Sequence, residues 1–415
     1  MMKLVALLVI LPLCESIWPH PKETPVLNGS PVSFSEKAVS STTFESKRLY
    51  DAFERFKTHV TSTESTESIH SIEFEIVDPV SEDLDMSTNV SYAIETKEGK
   101  LVLSSETIYG AMYALETLKQ LLDQKSGNLM YSNIHIRDAP QYSWRGLMID
   151  SGRRFVPVDT MKNLLDTMSA TKLNVLHLHA SDFCRFGVES KIYPNLTEAL
   201  TGIHAGFYSQ SDVADLVKYA ADRGIRIVPE FDIPGHSRGF VPVQAEGLSF
   251  CEPNSDTKNQ LHGTSGTYEV LHNVLGEMSK LFPDNVFNIG SDETSAKGDC
   301  TQDDVFSLER RVLNAIEEDF NKIPMGWEEV LFNAGAATND TIVNAWARYT
   351  AADIVATGHR TVESKSSAFY FTDAARGGPS GWKKCWYDIA TNVTEEQKPL
   401  LLGGEMSTSC RISQY

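Results

Sequence analysis

The sequence is poor in the features that would set it outside the globular class. Beyond an apolar run at the N-terminus, from Leu4 to Leu13, no stretch approaches the ~20 residues needed to span a bilayer. It has no surplus of positive charge. Against 37 Lys and Arg stand 56 Asp and Glu, a formal net charge of -19, and such a field repels nucleic acid and anionic membrane surfaces. Only six cysteines are present, at 14, 184, 251, 300, 385 and 410, and no two have the close spacing of a zinc knuckle. Long biased tracts and internal repeats are missing too. What remains, 41% hydrophobic and 22% charged residues, is the composition of a folded globular chain rather than a disordered one. At 415 residues the prior is one large α/β barrel with something smaller, or two to three modest domains.

Lys3 precedes the N-terminal apolar run, and Cys14 and Ser16 are small residues suited to cleavage before Ile17. Residues 1–16 therefore read as a secretory signal, too short for a membrane anchor. Asn89, Asn195, Asn339 and Asn392 stand in the glycosylation acceptor pattern, which such a signal makes usable. Removing Cys14 with the signal leaves five cysteines, an odd number, so at least one thiol is unpaired.

Residues 17 to about 70 are rich in Ser, Thr, Pro and Glu with little sustained periodicity. Alternation then predicts a strand over 72–77 and a hairpin of 92–96 and 100–103 turning at Glu98-Gly99. From about Thr107, Ile108, Met112, Leu115, Leu118 and Leu122 recur at helical spacing. A small α+β domain over 17–135 is expected. Past Asp138-Ala139-Pro140, short apolar runs alternate with amphipathic helices, the pattern of β/α units and a parallel sheet. Strands are predicted at 146–149, 174–178, 226–229 and 286–289, with weaker ones at 323–327, 341–346, 360–363 and 400–402. Eight parallel strands favour a closed (β/α)₈ TIM barrel over 136–415 rather than a doubly wound open sheet, in which ligands also bind at strand ends.

Polar residues gather at the C-terminal ends of these strands: Asp150, His179 and Asp182, Glu230 and Asp232, Asp292 and Glu293. In Gly290-Ser291-Asp292-Glu293-Thr294, adjacent carboxylates can push each other's proton affinities apart, so that one serves as acid and the other as base; the alternative is an acidic pair capping the next helix. In Pro229 to His236 a turn accounts for Pro234 and Gly235, but not for two acids and a histidine. His177 and His179, on one side of a strand, suit either zinc ligands or hydrogen-bonded core residues; for His177 the core is favoured. Arg145, at the barrel entrance, is a donor to sugar hydroxyls or a surface charge.

Taken together, Arg145-Gly146-Leu147-Met148-Ile149-Asp150, Pro229 to His236 and Gly290 to Thr294 resemble the family 20 glycoside hydrolases, the β-N-acetylhexosaminidases, in order from about residue 90 to 405. The resemblance implies a small α+β domain before a catalytic barrel, with Glu293 as general acid/base. It implies that Asp292 orients the substrate's 2-acetamido group, whose oxygen attacks the anomeric carbon to form an oxazolinium intermediate. On that mechanism Glu293 needs a raised proton affinity and Asp292 must stay ionised. The resemblance further implies a relay from Asp182 and His236 to Glu293, and a substrate pocket that includes Arg145 and Asp232. Trp327 and Trp346 would wall that pocket, although core packing is the competing role, and Tyr370 would bond the acetamido oxygen. A disulfide between Cys251 and Cys300 is also implied.

The implied substrates are terminal β-linked N-acetylhexosamine glycans or chitooligosaccharides, with neither metal nor other cofactor. The expected setting is the secretory pathway, lysosomal or extracellular, and the resemblance admits a homodimer. Two features depart from the family. Phe183 stands where a second acid is common, beside Cys184-Arg185-Phe186, and after Leu401 to Glu405 the chain stops at Tyr415. The barrel's C-terminal end thus reads as truncated, without a third pocket tryptophan, an acidic sugar contact and a covering helix. A catalytically silent sugar-binding barrel or an inactive fragment is the competing expectation.

Overall fold

The computed structural model describes residues 17–40, 44–62, 68–255, 258–370 and 387–408. The expected signal segment, Cys385, Cys410 and residues 409–415 lie outside the described residues. The chain divides into two compact units. One contains residues up to Asp83, Thr88–Gln141 and Ala170–Lys172; the other contains Leu84–Ser87, Tyr142–Ser169 and the chain from Leu173 on.

The first unit has a five-stranded sheet in the order Val26–Asn28, Asn133–Asp138, Tyr92–Lys97, Lys100–Thr107, Ser71–Asp78. The expected hairpin is present. Glu98 and Gly99 both take positive φ, 53° and 75°, as a two-residue turn must in order to follow the strand twist. The Thr107 hydroxyl then accepts from Gly110 N–H and caps the helix Ile108–Gln120. Several elements were not foreseen, a strand and a helix chief among them. Strand Asn133–Asp138 carries the sheet past residue 135. Helix Lys47–Lys57 buries Leu49, Ala52, Phe53 and Phe56; its stripe spans only about three turns between Ser- and Thr-rich segments, so the period barely registers.

The second unit is a closed barrel. Its strands Trp144–Asp150, Val175–Asp182, Arg226–Phe231, Val286–Asn288, Ile323–Trp327, Ile342–Ala345, Arg360–Glu363 and Leu401–Ser407 pair in parallel in chain order. The first strand closes the ring, pairing with the eighth at Gly403↔Trp144 and with the second at Gly146↔Val175. All eight expected strands are present, the last running on to Ser407. Trp144, Val175, Val228, Val286, Met325, Ile342, Val362 and Leu402, one from each strand, form a buried apolar cluster that plugs the N-terminal mouth. Side chains alternate along a strand, so the next positions on the same face are His177, Glu230, Asn288, Trp327 and Asn344. The interior thus turns polar toward the C-terminal end.

Helices Val158–Ala170, Gln210–Ala221, Ser265–Leu281 and Gln302–Asn314 supply the outer core against the first strands. Among the described residues, the helices after strands five to seven have only four or five residues, Glu329–Phe332, Ala351–Val355 and Ser366–Phe369. Three helices start with the same device: Ser209 with Asp212, Thr301 with Asp304 and Thr350 with Asp353 form reciprocal capping boxes, satisfying N–H groups that would otherwise lack partners. Among the described residues no helix is long and apolar enough to cross a membrane. The acceptor asparagines Asn89, Asn195, Asn339 and Asn392 are exposed.

Candidate active site

Strand four ends at Asn288, and the chain leaves it in a turn that few side chains tolerate, with φ of 67° at Gly290, 73° at Ser291 and 55° at Glu293. A Cβ on Gly290 would lie 2.2 Å from Asp232 Oδ1, so glycine is required there. Such conformations cost about 1–3 kcal/mol each unless the surroundings fix them, and here they do. Gly290 N–H donates to Asn288 Oδ1 at 2.8 Å, Ser291 N–H to Asp232 Oδ1 at 3.2 Å, and Trp327 N–H to Gly290 O at 2.9 Å. The turn sends adjacent acids into different surroundings: the Asp292 side chain is 18% exposed, that of Glu293 63%.

The loop after strand three brings His236 against both acids. Its Nε2 lies 3.5 Å from Asp292 Oδ2 and 3.3 Å from Glu293 Oε2, and its Nδ1 lies 3.6 Å from Asp182 Oδ1. Burial opposes the imidazolium, but Asp292 and Asp232, aided by Asp182 and Glu293, outweigh it and push His236 up to about 12. The structure thus brings Asp182, His236 and Glu293 together, with the charged form of His236 favoured.

Asp182 is the hub beneath. It accepts from His179 Nε2 at 2.8 Å, pairs with Arg153 Nη2 at 2.8 Å and takes the N–H of Phe183. Burial would raise its carboxyl, yet bonds from His179 and His236 and the charge of Arg153 hold it well below the usual range. His179 Nδ1 lies 2.7 Å from Glu230 Oε2, and His177 sits between Glu230 at 2.9 Å and Glu405 at 2.8 Å. Burial again resists charging, but these carboxylates raise both histidines, His177 to about 9. Both ring nitrogens of each histidine face carboxylates, the hydrogen-bonded arrangement of the two roles open to them, while His179, Asp182 and Asp232 also present ligand atoms within 4.8 Å of one another.

Asp232 and Asp292, with His236, present ligand atoms within 4.8 Å of one another. Burial first, then Asp292, raises the Asp232 carboxyl well above its ordinary value. Asp292 is raised as well, by burial, with His236 opposing and Glu230 and Glu293 reinforcing. Its direction is opposite to that expected of a group that must stay ionised, because burial and the neighbouring Glu230 and Glu293 carboxylates disfavour its charge.

One expected site residue is elsewhere. Arg145 stands at the start of the first strand, pairs in register with Gly404 and donates Nη1 to Tyr142 O. Seven strand residues at ~3.3 Å each put it at the opposite end of the barrel from the acids. The pocket's arginine is Arg153, three residues past the end of that strand, with Nη1 2.7 Å from Asp150 Oδ2 and Nη2 on Asp182. The signal for it was its position after Asp150, at the chemically active face.

Aromatic rings form one side. Trp327 is nearly buried, stacks on His177 at 6.2 Å and donates its indole N–H to Glu230 Oε1 at 2.9 Å. It meets Trp346 edge-on at 6.2 Å, and Trp346 stacks on Tyr370 at 6.4 Å. Burial raises the Tyr370 phenol well above its ordinary value, reinforced by Asp292, Glu230 and Glu405, so the ring row ends beside the acids. Cys251 and Cys300 are bonded, tying the segment after Glu293 to the loop before helix Ser265–Leu281. Cys184 is a free thiol. Two further acids escaped sequence reasoning: Glu329, bonded to the Trp346 indole N–H at 3.0 Å, and Glu309, bonded to Thr294 Oγ1 at 3.0 Å.

Comparison with known proteins bears on this arrangement. Residues 142–399 match the glycosyl hydrolase family 20 catalytic domain, and residues 17–121 match a domain described as beta-acetyl hexosaminidase like. Beta-hexosaminidase subunit A2 of Dictyostelium discoideum is 30% identical over 426 residues, covering 94% of this chain and 77% of that protein. Beta-hexosaminidase subunit beta of Homo sapiens is 31% identical over 360 residues, 80% of this chain and 63% of that protein; the chain thus spans under two thirds of that relative's length. The fold is that of the GH20 beta-N-acetylhexosaminidase from Streptomyces coelicolor A3(2), with a TM-score of 0.76 at 22% identity, covering 94% of this chain and 85% of that one.

Proposed function

Since the chain belongs to glycosyl hydrolase family 20, we propose that it removes terminal, non-reducing β-linked N-acetylglucosamine or N-acetylgalactosamine from glycans or chitooligosaccharides with retention of configuration. The observation that carries this reading is the pairing of a sunken Asp292 with an open Glu293 on one charged imidazole. The family departs from the two-carboxylate displacement of most retaining glycosidases, its nucleophile coming from the substrate.

In this scheme Glu293 protonates the leaving glycosidic oxygen while the substrate's acetamido oxygen bonds to the anomeric carbon. Asp292 takes the acetamido N–H and balances the positive charge of the oxazolinium ring, and Tyr370 supports the acetamido oxygen. Glu293, now a carboxylate, removes a proton from water, which opens the ring from the same face. His236 fixes the direction of Glu293, and Arg153 supplies donors to hydroxyls of the terminal sugar. Trp327 and Trp346 give an apolar wall that favours the compact intermediate over solvent attack. No cofactor enters this scheme. Routing through the secretory pathway, to the lysosome or the exterior, is part of the same reading and rests on the N-terminal segment and the exposed acceptor asparagines.

The test is release of 4-methylumbelliferone from its β-N-acetylglucosaminide at mildly acidic pH by the chain and by Glu293→Gln. Activity in the parent that falls by at least ~10²-fold in the variant supports the scheme. A well-folded parent without turnover would point instead to a silent sugar-binding barrel.

A further inference from the structure

Glu309 is a buried acid for which that mechanism has no use. It sits on helix Gln302–Asn314, on the buried stripe formed with Val305, Leu308 and Val312, and is 1% exposed. Its Oε1 accepts from Thr294 Oγ1 at 3.0 Å. Its Oε2 has no hydrogen-bond partner among the described residues, and neither has the fully buried hydroxyl of Ser291, which faces the same carboxyl. Ser291 and Thr294 bracket Asp292 and Glu293, and Ser291 and Glu293 hold left-handed φ values.

We propose that Glu309 is a positioning residue whose carboxyl, set between the Ser291 and Thr294 hydroxyls, clips together the two ends of the Asp292–Glu293 turn and fixes the direction of the Glu293 side chain. Burial favours the acid form of the clip. An Oε2–H donates to Ser291 Oγ while Oε1 accepts from Thr294, so both buried orphan atoms find partners, as buried polar groups require. Burial, reinforced by Glu329 from the short helix after strand five and opposed by the two hydroxyls and by Arg310 on its own helix, raises the Glu309 carboxyl to about 8. An ionised Glu309 would still accept from the Ser291 hydroxyl, but it would place a second buried charge near Glu329.

The inference rests on the glycosidase reading for its kinetic part only. Glu309→Leu removes both bonds, and Glu309→Gln restores a donor and an acceptor that cannot ionise. Misaiming the acid by about an ångström costs up to ~10²-fold, so we expect Glu309→Leu to lower kcat by at least ~10-fold at pH 5 with KM within about 2-fold, and Glu309→Gln to recover most of kcat. Because the amide carries no proton to lose, the Tm of Glu309→Gln relative to the parent should rise from pH 5 and level off above about pH 8. A kcat loss equal in both variants, or a folded Glu309→Leu with parental kcat, overturns the positioning role. A Tm difference that does not change with pH overturns the acid-form clip; that melting comparison needs no substrate, so it stands even if the chain proves not to turn over N-acetylhexosaminides.

Discussion

Replacing Asp182 by Asn keeps the shape of the side chain and removes its charge. The carboxylate now serves His179 Nε2 and Arg153 Nη2 at 2.8 Å, the N–H of Phe183 and, at 3.6 Å, His236 Nδ1. All four approach as donors, so an amide must turn its NH₂ toward one of them. Arg153 retains Asp150, at 2.7 Å, and His179 retains Glu230, so neither cation is wholly stranded. Breaking a buried charged pair costs about 3–5 kcal/mol, and the surviving partners place this case toward the lower end. At ~2–4 °C per kcal/mol, the Tm should fall by roughly 6–12 °C. Catalysis should suffer separately, since His236 loses the group that fixes its ring and with it the aim of Glu293; kcat should drop by ~10²-fold with KM within about 3-fold. Thermal melting and initial rates on the 4-methylumbelliferyl substrate measure both. A variant melting within about 2 °C of the parent at undiminished kcat would refute the hub role assigned to Asp182.

Other consequences can be checked on the same preparation. Arg153→Leu should lower kcat/KM by at least ~10²-fold, since charge-assisted donors to sugar hydroxyls and Asp182 go together, whereas Arg145→Leu, at the far end of the barrel, should leave it within about 3-fold; the reverse ranking would return the sugar contact to Arg145. Cys251→Ser with Cys300→Ser opens a loop closed across 49 residues, and denaturant unfolding should show a loss of about 4 kcal/mol if the loop-entropy account holds. Stability should peak in mildly acidic solution. His177, raised to about 9, stabilises fully below its unfolded value of about 6.5, and that stability is lost as pH climbs through 9. Glu309 and Glu329, raised to about 8 and about 7, cost stability as pH rises from the unfolded value of about 4.3. Below about pH 4 the unfolded chain takes up protons at Asp182 and Glu230 that the depressed folded carboxylates refuse, which reverses the trend. A Tm that climbs from pH 5 to pH 8 would contradict the raised assignments of His177, Glu309 and Glu329.

The barrel was legible because each strand is buried on both faces and so appears as a short apolar run that flanking turns delimit. The four-residue strand Ile342–Ala345 gave that signal, whereas Arg360–Glu363, with Val362 as its one apolar residue, was marked only weakly. Helix Lys47–Lys57 escaped notice because a stripe of four buried residues is too short to rise above its polar flanks. Arg145 was misplaced for a geometric reason. A motif at a strand start draws attention to its first charged residue, but chemistry at the barrel face needs residues at or past the strand's end, where Asp150 and Arg153 stand. The partners of Arg153 lie on two strands, Asp150 on one and Asp182 on the next, and no local pattern announces a meeting across the sheet. Glu309 did leave a trace. It interrupts the apolar stripe Val305, Leu308, Val312 at the position where helical spacing demands another buried side chain. A charged residue on a buried stripe either breaks the helix's packing or is kept because a polar group reaches it from across the interface, and Thr294, beside the acid pair, is the group that does. The same rule applied to strand interiors marks His177, Glu230 and Glu405 as a connected polar layer above the apolar plug, which is how the barrel carries charge from its core up to Asp182 and Arg153 without leaving those charges unpaired.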